Sequence, residues 1–402
     1  MGLRKISYGK NVYDGKEIKA VLKTLKNSTQ MGKSVEAFEK INANYFSKKY
    51  ALMVNSGTSA LILAIKVLNF PKGSEIITPG LNFGTAVSSI ILNGHNPIFV
   101  DVNLKTLQID CDKIEKKISR KTKALLIPNL IGNIPDWPKL KKIANKHKLK
   151  LIEDSADTLG AKIGKKTTGS FSDVSITSFY GSHIISCAGN GGMFLTNDKK
   201  EYLRAKVLRS WGRASTLIKD SENINKRLNI KLKGFEFDRK FVFQEIGYNF
   251  EPSEIGASFG LEQIKKFNKF SKIRLKNFNL HKLYFNQIKN FFIVPDIIKN
   301  VKTNFLAYPI IIKKNKIFKR KDLQVYLENK KIQTRPIFSG NILRHPAFNY
   351  LSSKKNKISE LKNSDYIMKH GILIGCHQGL KLQDIKFIHK SINEFLIKLN
   401  VR

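Results

Sequence analysis

Between about residue 50 and residue 210 the chain alternates short apolar runs with longer amphipathic stretches. The runs at 51–54, 75–78, 97–102, 124–127, 149–152, 174–179 and 193–196 are rich in Val, Ile, Leu and Phe and predict strands. Between them, 60–68 places Leu61, Ala64, Ile65 and Leu68 on one helical stripe. Residues 137–147 do the same with Leu140, Ile143 and Ala144, and Pro138 suits the opening turn of a helix. This alternation predicts an α/β fold, a mostly parallel sheet with helices on both faces. After Gly256 the pattern changes. A helix-rich stretch at 253–285 leads to predicted strands at 303–312 and 372–376, then to a C-terminal helix ending near Leu399. The expected organisation is an N-terminal arm with a large domain over residues 1–255, and a smaller α+β domain over 256–402. No internal repeat or long low-complexity linker interrupts it.

Composition narrows the class. With 402 residues, 42% hydrophobic and 10% aromatic, the chain can bury a full core, so wholesale disorder is excluded. Its 3 cysteines, Cys111, Cys187 and Cys376, are too few and too scattered for a disulfide scaffold and fit a reducing compartment. The N-terminal segment lacks the apolar stretch of a signal peptide. The longest apolar runs, such as 305–312, fall far short of the roughly 20 residues that cross a bilayer. The expectation is a soluble, cytoplasmic protein with no membrane partner.

Charge is permissive. Lys and Arg number 72 against 31 Asp and Glu, a formal net charge of +41. Alone, that excess suggests a polyanion partner. The lysines, however, are scattered from end to end among asparagines and isoleucines, and the densest pieces, 313–316 and 354–357, carry no interleaved aromatics. A basic nucleic-acid-binding protein is therefore the rival from a different class, and nucleic acid is not the expected partner. The basic field would still draw in a phosphate-bearing small molecule.

Ligands of open α/β sheets collect at the carboxyl ends of strands, where three polar clusters fall. Asn55-Ser56-Gly57-Thr58-Ser59 precedes a helix, so its N–H groups make either a phosphate cradle or an ordinary hydroxyl cap. Glu153-Asp154-Ser155-Ala156-Asp157 closes an apolar strand with acids, one of which could pair with a protonated ring nitrogen or simply cap a helix. Ser178-Phe179-Tyr180-Gly181-Ser182-His183 ends a strand in a hydroxyl-rich turn with one histidine, followed by Gly189-Asn190-Gly191-Gly192.

Together these clusters resemble the DegT/DnrJ/EryC1/StrS family, nucleotide-sugar enzymes of the fold-type I, pyridoxal-phosphate class. The resemblance extends from Gln30-Met31-Gly32 and Phe38-Glu39 through Asn55–Leu61, Glu153-Asp154, Ser178-Phe179 and Gly191-Gly192. It continues at Gly247-Tyr248-Asn249, Ala257 and Leu261-Glu262-Gln263. It implies that the backbone at Gly57 and Thr58, with the Ser178 hydroxyl, holds the cofactor phosphate. Phe83 matches the aromatic that stacks on the pyridine ring, with plain core packing as its alternative. Asp154 matches the acid that keeps the ring nitrogen protonated. Asp157 falls where ordinary members carry glutamine near the ring hydroxyl. Asn249 matches a residue reaching the phosphate from a neighbouring subunit, which implies a homodimer with shared sites; otherwise it is a turn residue.

The informative departure is position 183. Aminotransferases of the family carry lysine there, which binds the cofactor covalently and shuttles protons. Imidazole forms no stable Schiff base but is a good base near neutral pH. Histidine at this place resembles the C-3 dehydratase branch, as do Asp157-Thr158-Leu159-Gly160 and Thr334-Arg335-Pro336-Ile337-Phe338-Ser339-Gly340-Asn341. One form of that branch holds an iron–sulfur cluster on four cysteines. Three separated cysteines, none of them between Ser210 and Asn249, cannot supply four thiolates, so no cluster and no metal are expected. The other form needs no cluster and restores pyridoxamine phosphate (PMP) with L-glutamate. The resemblance thus implies His183 as catalytic base, PLP/PMP as cofactor, and a nucleotide-linked 4-keto-6-deoxyhexose as substrate. Arg335 is a candidate for an anionic group of substrate or glutamate, with a surface ion pair as its alternative. An aminotransferase-like protein and an inactive cofactor-binding homologue are the rivals within the family.

Overall fold

The computed structural model describes residues 5–218 and 220–400. Two helices, α1 (Gly15–Asn27) and α2 (Lys33–Phe46), lead into a seven-stranded sheet. Its strands are β1 (Tyr50–Val54), β2 (Glu75–Pro79), β3 (Asn96–Val100), β4 (Thr122–Pro128), β5 (Lys150–Asp154), β6 (Val174–Ser178) and β7 (Gly192–Thr196). They lie in the order β1-β7-β6-β5-β4-β2-β3. Only β7 runs antiparallel to its neighbours; the other four pairings are parallel. Parallel neighbours need crossover connections, and α3 (Gly57–Lys66), α4 (Gly84–Leu92) and α5 (Trp137–Lys146) belong to them, while α6 (Lys199–Arg209) follows β7.

Strand period decides which face each residue serves. Ile76, Ala124, Leu126 and Ile152 pack with Leu61, Ala64 and Ile65 of α3 on one side. Ile77, Leu125, Ile127 and Leu151 pack with Trp137, Leu140 and Ile143 of α5 on the other. With both faces covered, the strands read as continuous apolar runs. Asp136 caps α5 and Pro138 sits in its first turn, as the sequence predicts.

The C-terminal layer is a four-stranded antiparallel sheet of β8 (Phe292–Ile293), β9 (Ala307–Ile312), β10 (Arg335–Pro336) and β11 (Gly371–Gly375), in the order β8-β9-β11-β10. The helix-rich stretch is a single helix of 34 residues, α7 (Glu254–Gln287), capped by Ser253. Its later turns give Phe278, Tyr284 and Phe285 to a core shared with Ile310, Ile374, Ile388 and Phe395. Helices α8 (Arg320–Asn329), α9 (Lys362–His370) and α10 (Leu382–Lys398) complete the layer. Ile6 joins the same core and bridges Ile332, so the first described residues are tied to this layer. The strand expected from 303 begins at Ala307 because Thr303 and Asn304 are spent elsewhere. Thr303 Oγ1 donates to the Gly132 carbonyl at 2.6 Å, and Asn304 Nδ2 to the Leu159 carbonyl at 2.7 Å. Among the described residues no helix is long and apolar enough to cross a membrane.

Candidate active site

The carboxyl ends of the parallel strands converge on one side of the sheet, next to the start of β7. Gly57 opens α3 immediately beside the end of β6: a Cβ there would lie 2.8 Å from Cβ of Ser178. A Cβ at Gly192 would lie 2.2 Å from the Ser56 carbonyl oxygen, so glycine is needed for strand and helix start to approach. The Ser56 hydroxyl accepts from Ser59 N and caps the helix. The amides of Gly57 and Thr58 have no partner among the described residues and stand at the positive end of α3. The cap and the anion cradle are thus compatible, because different N–H groups serve them.

At the end of β5, Asp154 is buried and accepts from Ala156 N at 3.0 Å. No cation faces it. Burial pushes its carboxyl up to about 6, with the Ala156 N–H opposing and Glu153 adding to the rise. Asp157 is buried nearby, its Oδ2 accepting from Ile131 N at 2.8 Å; burial, and to a lesser degree Asp154, carry it up to about 7. Glu153 is satisfied instead by Asn129 Nδ2, Ser155 Oγ and Ser175 Oγ at 2.7 to 2.9 Å. Two buried carboxylates, close enough for Asp154 to raise Asp157 and without a counter-charge among the described residues, favour a cationic donor.

His183 lies on the loop from β6 to β7. Phe179 anchors that loop edge-on to Phe38 at 4.8 Å, and the bonds Phe179 N to Gly191 O and Gly181 N to Gly189 O close it. His183 N donates to the Tyr180 carbonyl at 2.9 Å, and Nδ1 sits 3.3 Å from the Ser178 carbonyl oxygen. A carbonyl only accepts, so this contact assigns the proton to Nδ1 and leaves the lone pair on Nε2. Burial pushes the imidazole pKa down to about 4; the Ser178 carbonyl resists and the charge of Arg274 adds to the fall. At neutral pH the half-buried ring is an uncharged base.

Phe83 is 55% exposed at the start of α4 and meets Phe338 edge-on at 6.0 Å, which rules out plain core packing. The 334–341 segment returns to the same turn, with Ser339 Oγ donating to the Asn82 carbonyl at 2.7 Å. Arg335 is exposed at its start: Nη1 donates to the Thr334 carbonyl at 2.7 Å, and the guanidinium lies 5.9 Å from the centre of the Tyr8 ring. The carbonyl of Asn249 accepts from Asn55 Nδ2 at 3.3 Å, beside the strand-end cluster of its own chain, and its side chain is exposed.

Two residues here were missed from sequence. Tyr8 is drawn in by the bridge from Ile6 to Ile332 and by its own N–H donating to Gln333 Oε1 at 3.2 Å. Burial and the neighbouring Asp157 raise its phenol above the usual range. Gly9 packs against Ser182, where a Cβ would come within 2.9 Å. The other is Arg274 of α7, which reaches the His183 carbonyl. Neither belongs to a local pattern, because only long-range pairing brings them in. Among the described residues no group of three or more His, Cys, Asp or Glu is placed to hold a metal ion.

A family model described as the DegT/DnrJ/EryC1/StrS aminotransferase family matches residues 12–393. The chain belongs to that family. Members of the DegT/DnrJ/EryC1/StrS family are nucleotide-sugar enzymes that depend on PLP or PMP. The lipopolysaccharide biosynthesis protein RfbH of Salmonella typhimurium is 31% identical over 375 residues, 90% of this chain and 85% of that protein. A GDP-4-keto-6-deoxy-D-mannose 3-dehydratase of Yersinia pseudotuberculosis is 31% identical over 380 residues, 92% and 93% of the two chains. GDP-perosamine synthases also match, that of Caulobacter vibrioides at 27% over 397 residues, 98% and 99% of the two chains. Among solved structures, a GDP-4-keto-6-deoxymannose-3-dehydratase with a trapped PLP–glutamate geminal diamine superposes with a TM-score of 0.84 at 29% identity, over 96% of this chain and 99% of that one.

Proposed function

We propose that this chain removes the C-3 oxygen of a nucleotide-linked 4-keto-6-deoxyhexose, giving the 4-keto-3,6-dideoxyhexose, with PMP as cofactor regenerated from glutamate. The observation that carries the reading is the β6–β7 loop: it presents a neutral imidazole at 183, and no lysine occurs from 174 to 198. An aminotransferase needs an amine at that place to hold its cofactor covalently. Identity alone does not choose between the two, since proteins named as 3-dehydratases match at 31% and a GDP-perosamine synthase of Escherichia coli O157:H7 at 30%; the residue at 183 does. Such a sugar belongs to cell-surface polysaccharide synthesis, consistent with the relative named for lipopolysaccharide, and a nucleotide-linked substrate puts the enzyme in the cytoplasm.

The site fits the cofactor in three respects. Asp154 is a buried carboxylate without a cation, suited to a protonated ring nitrogen. Gly57 and Thr58 offer unpartnered amides, and the Ser178 hydroxyl lies beside them for a phosphate. Phe83 is an exposed aromatic available for stacking. When bound, PMP supplies an amine that condenses with a ketone and a ring that accepts an electron pair. Asp154 holds the proton on the ring nitrogen. His183 Nε2 takes the proton whose removal releases the C-3 hydroxyl, while Nδ1–H stays fixed on the Ser178 carbonyl. Asp157 lies against the same buried carboxylate, where it would face the ring hydroxyl. Arg335 would receive an anionic group of the sugar nucleotide or of glutamate. Overall, keto-sugar and glutamate give dideoxy sugar, 2-oxoglutarate and ammonia, which balances atoms and electrons without a reductase.

Mass spectrometry of the sugar tests this. Protein, PMP and glutamate are incubated with GDP- or CDP-4-keto-6-deoxyhexose; the expected product is lighter by one oxygen and depends on glutamate. An amino sugar would replace this reading with transamination, and a loaded protein that turned over neither sugar would mark an inactive homologue.

We also infer a homodimer with shared sites. Trp211, Phe235, Phe241, Phe243 and Ile246 leave a run of large apolar side chains exposed, Ile246 by 92%, directly before Asn249. Such a surface is stable when covered, and a second copy would bring Asn249 to the neighbouring phosphate site. Sedimentation of the native protein should give twice the chain mass, and Phe243→Asp with Ile246→Asp should give a monomer without activity. A parent protein sedimenting as one chain would refute the dimer.

A further inference from the structure

Arg274 is 0% exposed, in the middle of α7. Its guanidinium has four acceptors: Nε donates to Gln378 Oε1 at 2.6 Å, Nη1 to the carbonyls of Phe305 and Leu306 at 2.9 and 3.0 Å, and Nη2 to the carbonyl of His183 at 3.2 Å. Among the described residues no carboxylate bears on it, and burial lowers its pKa only to about 10, so it stays cationic. An uncompensated buried cation is costly, and packing alone would be served as well by an apolar side chain. What an apolar side chain or a lysine cannot do is span carbonyls of separate segments with one planar fork.

Three of those acceptors belong to the C-terminal layer, at the start of β9 and just after β11. The fourth is the peptide of His183. That residue is therefore fastened at its N–H by the Tyr180 carbonyl, at Nδ1 by the Ser178 carbonyl and at its own carbonyl by Arg274. Only the last of these bonds comes from outside the loop. We propose that Arg274 is a positioning residue, whose guanidinium locks the His183 peptide to the C-terminal layer and so fixes where Nε2 points. This rests on the reading of His183 as the base.

The test compares PMP-loaded Arg274→Met, Arg274→Lys and Arg274→Ala with the parent enzyme. Arg274→Met removes the buried charge and keeps the stem, but it leaves four acceptors without their donor, so Tm should fall. Its kcat should fall about a hundredfold, as for a displaced reacting group, with KM and cofactor loading unchanged. Arg274→Lys should fall similarly, and guanidinium ion added to Arg274→Ala should restore part of the lost kcat. A merely structural residue gives a lowered Tm with kcat retained, and that result overturns the proposal. Failure of Arg274→Met to fold would also overturn it, by assigning the residue to stability. The parent reading is tested separately: if His183→Asn turns over normally, the base assignment falls whatever the Arg274 variants do.

Discussion

His183→Asn should lower deoxygenation by about three orders of magnitude, the middle of the range for loss of a general base, with cofactor loading and Tm unchanged. The amide of asparagine can still donate to the Ser178 carbonyl, which in the parent lies 3.3 Å from Nδ1, so the loop should keep its course. What disappears is the basic lone pair. In the parent that lone pair is available at neutral pH because burial holds the imidazole near 4, well below the usual range for histidine. Initial rates by chromatography of the sugar nucleotide, alongside cofactor absorbance and calorimetry, separate the two effects. A variant turning over at the parent rate would remove His183 from the chemistry. A variant unable to retain cofactor would give the imidazole a binding role instead.

The large sheet was legible because its strands are buried on both faces and thus stand out as apolar runs between amphipathic helices. The runs at 75–78 and 124–127 fall inside β2 and β4 for that reason. Boundaries failed where polar residues intervene. The strand expected to reach 102 stops at Val100, because the buried Asp101 turns to receive the amides of Val102 and Ser364. The three strand-end clusters were legible as clusters because glycine, hydroxyl and carboxylate residues stand where the apolar runs stop. Their convergence depends on the strand order, which no local pattern contains. Tyr8 and Arg274 were out of reach altogether. One comes in through a single bridge to residue 332, the other as one cation among the many charged residues of a long helix.

The same contrast bears on the excess of lysine. Most of the ion pairs around it are exposed or partly exposed, as at Lys139 with Asp112 or Lys146 with Glu115, and contribute little to stability. The electrostatics that matter to the site are buried and sparse: two carboxylates without cations, one imidazole kept neutral and one guanidinium without an acid. An account of function built on net charge would have looked at the wrong residues.

Asp154→Asn should make the cofactor-free protein more stable and the loaded enzyme nearly inert. The carboxyl titrates at about 6 in the fold against an ordinary value of 3.8. Between those values the unfolded chain has released its proton while the folded chain retains it, so the folded state binds more protons. Stability from this group is therefore lost as pH rises from about 4 through 6, leaving a deficit of roughly 3 kcal/mol at neutral pH. Asparagine carries no charge to desolvate, and its side-chain oxygen can still accept from Ala156 N. Calorimetry of the cofactor-free proteins should show a higher Tm for Asp154→Asn at neutral pH, the gain shrinking as pH is lowered through 6. Catalysis should move the other way. Without an anion to hold the ring proton, both the glutamate half-reaction and deoxygenation should fall by about two to three orders of magnitude, the scale on which a buried electrostatic contact acts in a transition state. Greater stability joined to lost activity is the mark of a charge kept for its ligand. Lowered stability with activity retained would return Asp154 to the role of a strand-end cap.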